Sequence, residues 1–285
     1  MASRARSRRA RHRLLRDRAA ITGIGVVAII AVVCVLAPLL APYDPDAVDA
    51  AIRLAPIGAP GHVLGTDDLG RDLLSRLLWG GRVSLVVGLL PVALAILVGV
   101  GLGALAGYVR GGLDGTLMRC IDVLLAFPAY LLAIAIVSAL GAGLSNAVLA
   151  IAVVSSASFA RLVRGSVLSV REREYVFAAR LAGAGGSRIV TRHVLPNVLT
   201  PVIVFATLEA GRTIIFAAGL SFLGLGAQPP TAEWGAMLAQ GRGLLNVAPH
   251  VASLPGMAIL VVCLGLNLFG DGLRDALDPR STHGL

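Results

Sequence analysis

The chain has 285 residues, 56% hydrophobic and 14% charged, with a formal net charge of +9 and a mean hydropathy of +0.83. A water-soluble domain carries nearer a quarter charged residues, so this composition excludes an ordinary soluble enzyme or binding module and points to lipid. The basic residues are all arginine, yet the long uncharged apolar runs are not what a nucleic-acid binder needs, so that class is excluded too.

A spanning helix needs about 20 mostly apolar residues. Six windows meet or approach that: 21–41, 83–108, 120–141, 145–160, 198–222 and 251–270. The first follows a basic tail, 1–20, as a secretory signal would. Its apolar run is longer than a usual signal core and five further spans follow, so it is read as an uncleaved first transmembrane helix. Segment 42–82 is rich in Pro and Gly and reads as an extracytoplasmic loop. Its Asp67, Asp68, Arg71 and Asp72 either touch a partner or pair with one another to fold the loop. Residues 83–270 form a five-helix core, in which Gly99, Gly101, Gly103 and Gly107 suit close helix contacts. Pro38, Pro91 and Pro128 are compatible with a packed membrane bundle. Trp79 and Trp234, near span ends, read as interfacial anchors. Cys34, Cys120 and Cys263 are far apart and read as small buried hydrophobes. Neither they nor His12, His62, His193, His250 and His283 have metal-ligand spacing, so no metal site is expected.

Arginine placement sets the orientation. Segments 1–20, 109–119, 161–197 and 271–285 hold 19 of the 25 arginines, whereas 42–82, 142–144 and 223–250 hold five. The reading is an all-α polytopic bundle of about six transmembrane helices with both termini cytoplasmic, and with 271–285 as a C-terminal tail. Glu209 and Arg212 lie i,i+3 inside the fifth window, where charges are rare and usually paired or facing an aqueous path. They are a pathway-lining pair or a structural salt bridge.

Segment 161–197 is the one long inside segment between two spans. Residues 166–182 lack Gly and Pro and permit a helix continuing from the fourth span. The cluster Gly183-Ala184-Gly185-Gly186 can turn the chain at low steric cost. Ser187 is a candidate N-cap for a second short helix, 188–195, and Pro196 stands where that helix should stop. Ile189, Val190, His193 and Val194 share one face of it, with Arg188 and Arg192 on another. The result is a helix–corner–helix with an apolar knuckle and a basic rim. It either inserts into a groove on a soluble partner or lies on the membrane surface.

Tyr175-Val176-Phe177-Ala178-Ala179-Arg180, Gly183, then nine residues to His193-Val194-Leu195-Pro196-Asn197, resembles the coupling motif of binding-protein-dependent ABC importer permeases. That pattern is Glu-Ala-Ala, three residues, Gly, nine residues, an apolar residue and Leu-Pro; Phe177 stands at the Glu position and His193 at the apolar one. The His-x-Leu-Pro-Asn form is similar to the peptide and nickel subgroup. Leu64 to Asp72, Asp122 to Pro128, Leu220 to Gly226, Gln228-Pro229-Pro230 with Glu233-Trp234-Gly235, and Asp271 to Pro279 resemble the same subgroup, above all the "C" permeases of dipeptide and oligopeptide importers. Ala217 departs from it where an acidic residue is frequent.

The resemblance implies a heterodimer with a second permease, two ATPase subunits beneath it and an extracytoplasmic substrate-binding protein. The ATPases would bind the ATP, leaving this chain with no catalytic residue and no cofactor. The residues agree, since there is no GxxxxGK[ST] loop and no Lys to complete one. ATPase docking is expected at Ala178, Ala179, Gly183 and Leu195, with Tyr175, Ile189, His193 and Pro196 around them and Arg180 and Arg192 at the rim. A nickel or other small-solute importer is the second reading. An ATPase-independent transporter or channel is a third, which would more often show inverted repeats or broken helices. An intramembrane enzyme is a fourth, for which no catalytic pair is visible within the spans.

Overall fold

The computed structural model describes Leu14, residues 17–109 and residues 111–277. The basic tail apart from Leu14, Asp17, Arg18 and the two alanines after them therefore lies outside the described residues, as do Arg110, Asp278-Pro279, His12, His283 and the side chain of Ser187. Among the described residues there is no strand and the secondary structure is helical. The helices are α1 (Arg18–Val35), α2 (Ala37–Leu40), α3 (Leu73–Val109), α4 (Gly111–Ala126), α5 (Ala129–Leu140), α6 (Leu144–Arg171), α7 (Glu174–Leu181), α8 (Gly186–Ile189), α9 (Leu195–Phe222), α10 (Trp234–Gly241) and α11 (His250–Leu277). A π-helical turn, Val190–Val194, joins α8 to α9. Five of the described helical segments are long and apolar enough to cross a membrane, and six spans result if the pair α4 and α5 counts as one.

That pair corrects the third window. Its axis turns by 96° at Phe127-Pro128, where Pro128 caps α5 in an extended conformation. Proline disfavours helix in the residue before it and withholds an N–H, so here it breaks the helix. Pro91, by contrast, sits inside α3 without a break. The fourth span is longer than its apolar window, running through Arg161, Arg164 and Arg171. The second begins at Leu73, so 73–82 is helix rather than loop.

Small residues set how closely the helices meet. A Cβ on Gly99 would lie 2.5 Å from the Cβ of Phe159, one on Gly103 would run into the carbonyl oxygen of Ala160, and one on Gly107 would lie 2.9 Å from the Cβ of Val167. This i,i+4,i+8 stripe is why α3 and α6 share the most extensive helix interface. Gly101 faces open space and takes no part, contrary to expectation. Between α1 and α11 the contact is reciprocal: a Cβ on Gly23 would meet the Gly265 carbonyl, and one on Gly265 the Gly23 carbonyl. The outward faces of α1 and α3, with Ile29, Val32, Val35 and Leu97, are left apolar and exposed, as a lipid-facing surface requires.

The loop between α2 and α3 folds on a buried polar network. Asp67 accepts from the backbone N–H of Leu69 and Arg71 and from Arg71 Nε (2.7 Å), and Arg76 Nε lies 3.6 Å away. Asp72 accepts from Ser75 N and pairs with His62 Nδ1 at 2.9 Å. Arg71 reaches Gln240 of α10, tying the loop to the second half of the chain. Of the two readings open for Asp67, Arg71 and Asp72, burial selects loop folding. Glu233 caps α10, accepting from Gly235 N, Ala236 N and Ser84 Oγ. Trp234 is buried with its Nε1 donating to Leu77 O, so it is a packing residue, not an interfacial anchor. Trp79 is half-buried under Arg82. Cys34 and Cys263 are buried as expected, whereas Cys120 is exposed.

Candidate functional site

One end of the bundle carries a corner built from the tail of α6, α7 and α8. The helix expected to run on from the fourth span stops at Arg171, and Arg173 turns extended to start α7. α7 ends on a Schellman motif. Ala184 N donates to Ala179 O and Gly183 N to Arg180 O, both at 3.1 Å, with Gly183 at φ +80°. A Cβ on Gly183 would meet nothing within 4 Å, so glycine is required there by backbone conformation and not by space.

The second half differs from expectation in three ways. Helix α8 begins at Gly186, so Ser187 is inside it and not its cap. Pro196 does not stop the helix. The preceding π turn, closed by Leu195 N donating to Val190 O, absorbs the proline at the start of α9, and Asn197 Nδ2 donates to His193 O at 2.7 Å. Finally, the apolar face points inward. Ile189 is 1% exposed and, with Val194 and Val176, belongs to the same buried cluster as Val163, Val167 and Val198. Ile189 thus holds the corner to the bundle and presents no surface to a partner.

The exposed apolar surface lies on α7 instead. Phe177 is 59% and Leu181 75% exposed, and Tyr175 and Ala178 are exposed beside them. Arg171, Glu172, Glu174 and Arg180 ring a shallow hollow on this face. Arg180, Gly183, Arg192 and Pro196 are exposed, and Ala179, His193 and Leu195 half-buried. The Tyr175 and His193 rings lie 6.4 Å apart across the corner, so the structure brings both halves of the motif together.

The corner is fastened by groups the sequence reading did not single out. Arg171 Nη1 donates to Gly107 O (3.3 Å) and Tyr108 O (2.8 Å), the last carbonyls of α3. Tyr108 also abuts Gly186, where a Cβ would lie 3.0 Å from its hydroxyl. Arg164 makes a two-pronged bond to Asp114 (2.6 and 2.8 Å), and Arg161 bonds Asp122. The available signal was the spacing of Arg161 and Arg164, three apart on one helix, with Asp122 in a motif already noted.

Glu209 and Arg212 are paired at 3.4 Å on α9, and Ser155 Oγ of α6 donates to Glu209 Oε1 at 3.1 Å. Glu209 is 12% exposed and Arg212 76%.

Comparison with known proteins agrees with this architecture. Residues 99–283 match the family described as binding-protein-dependent transport system inner membrane component, and residues 6–56 the N-terminal TM domain of oligopeptide transport permease C. The glutathione transport system permease protein GsiD of Pectobacterium atrosepticum is 46% identical over 94% of this chain and 89% of its own length. The di/tripeptide transport system permease protein DppC of Pseudomonas aeruginosa is 48% identical over 93% and 89%. The dipeptide transport system permease protein DppC of Haemophilus influenzae is 44% identical over 93% and 91%. Among solved structures, a chain of the MetNI methionine ABC transporter in an inward-facing conformation superposes with a TM-score of 0.59 at 18% identity, covering 72% of this chain and 97% of that one. At that identity the likeness concerns the fold.

Proposed function

Because this chain belongs to the family of inner-membrane components of binding-protein-dependent transport systems, we propose that it is one permease subunit of an ATP-driven importer of short peptides. The relatives named for dipeptides, tripeptides and glutathione support a peptide-type cargo. A second permease would complete the pathway, two ATPase subunits would bind beneath, and a substrate-binding protein would deliver cargo from outside. The concentration of arginine in 1–20 and 161–197 supports cytoplasmic termini and a cytoplasmic corner.

The observation that carries the reading is the exposed apolar face of α7 on a corner pinned to the ends of α3 and α6. An unpartnered Phe177–Leu181 surface outside the spans is suited to a groove on a soluble protein. The pins convert motion of that protein into motion of α3 and α6. ATP hydrolysis by the partner would then switch the pathway between inward- and outward-facing states, with no chemistry on this chain. An importer of this kind has no need of an ATPase-independent mode.

Proteoliposomes holding this chain, its second permease and the ATPases test the proposal. Uptake of a labelled tripeptide is expected to need both ATP and the loaded binding protein. Uptake that persists without ATP would overturn it.

A further inference from the structure

Arg212 is seventeen residues from the Leu195 end of α9 and ten from the Phe222 end, about 26 Å and 15 Å along the axis. A hydrocarbon layer of about 30 Å that lies within Leu195–Phe222 has Arg212 inside it. At that depth an arginine facing lipid is strongly disfavoured. Nevertheless its side chain is 76% exposed, on a stripe of α9 that also presents Ile215. This stripe therefore faces protein or water.

The guanidinium has five N–H donors. Among the described residues its partner is Glu209, through one long bond of 3.4 Å. Glu209 is itself held, because its other oxygen accepts from Ser155 on α6. The acid is thus a fixed support and the arginine is the presented group. A permanent acidic residue from a second subunit, sealed over this already neutral pair, would add a third charge and leave a net negative cluster whose desolvation is unfavourable. A carboxylate that arrives on a zwitterionic molecule and departs again leaves no such standing charge. It also matches the planar donor fork of an arginine.

Resting on the peptide-import reading above, we propose that Arg212 is a cargo-contacting residue of the pathway that receives the free carboxylate of the transported peptide, with Glu209 as its positioning residue. The pair at mid-depth passes a zwitterion along by exchanging one carboxylate for another on the same guanidinium, so that the cargo carboxylate is not left unpaired within the layer.

The test uses the whole transporter in proteoliposomes, with a labelled tripeptide and its C-terminal amide, each saturating the binding protein. Arg212→Gln is expected to lower the ratio of acid to amide uptake about tenfold, the scale of a lost charge-assisted hydrogen bond. Arg212→Lys, which keeps the charge without the fork, is expected to recover part of it. In a background with Cys34, Cys120 and Cys263 replaced by Ala, Arg212→Cys is expected to react with an anionic, membrane-impermeant thiol reagent in one nucleotide state. Equal loss of acid and amide, or a cysteine inert in every nucleotide state, would overturn the proposal in favour of a structural or subunit-interface pair. Failure of the unmodified transporter to carry the tripeptide would instead strike the cargo reading, and this inference with it.

Discussion

Arg171, the last residue of α6, donates to the carbonyl oxygen of Tyr108 at the end of α3, at 2.8 Å. Through this bond and the one to Gly107 O, a positive side chain satisfies carbonyls that helix geometry leaves without partners and meets the negative end of the α3 dipole. The two helices that share the glycine stripe are thereby locked at the end where the corner begins. Arg171→Gln is expected to cost about 1 kcal/mol, read as a lower melting temperature of the detergent-solubilised complex, and to reduce transport more than it reduces membrane insertion.

Gly183 separates conformation from space. Its φ of +80° disfavours any side chain, while the volume around it is open. Asparagine tolerates this region and a β-branched residue does not. Gly183→Asn is expected to leave the thermal stability of the chain close to the original, and Gly183→Val to lower it by about 1–2 kcal/mol. Equal melting temperatures for the two variants would contradict the Schellman reading of the corner.

The α3 stripe predicts a contrast two residues apart. Gly103→Val drives a Cβ against the Ala160 carbonyl and is expected to destabilise by about 3 kcal/mol or abolish folding, as overpacking of a tight contact does. Gly101→Val faces open space and is expected to be nearly silent. Expression and gel-filtration profile in detergent distinguish them.

Asp67 is buried against Arg71, with Arg76 close by, the three side chains being at most 4% exposed. Asp67→Ala leaves two buried guanidiniums short of a counter-charge and is expected to cost about 3–5 kcal/mol, seen as protease sensitivity of the loop between α2 and α3. Arg53, on the same loop but exposed, is expected to tolerate alanine within about 0.5 kcal/mol.

Much of this was legible from the sequence. The apolar windows located the spans, and the spacing from Tyr175 to Asn197 located the corner. The misreadings have physical causes. The fourth window ended at residue 160 because Arg161 and Arg164 interrupt its hydropathy, but those charges are met by Asp122 and Asp114 on α4 and the helix continues. Pro91 and Pro128 look alike in sequence, and only their neighbours decide that one is carried within a helix and the other bends the chain by 96°. Helical spacing picked out the Ile189–Val194 face correctly as apolar. Periodicity does not say what a face packs against, and this one closes on Val163, Val167 and Val176 within the chain. The exposed apolar surface is instead that of Phe177 and Leu181, two residues whose exposure no motif revealed and to which the proposed function gives the docking role.

The most direct measurement is site-directed cross-linking from the corner in the assembled transporter. Cysteine at Phe177 or Ala178, in the background lacking Cys34, Cys120 and Cys263, is expected to cross-link to the ATPase subunit through a short bifunctional reagent, while cysteine at the buried Ile189 does not. ATPase adducts from position 189 with none from 177 or 178 would contradict the account.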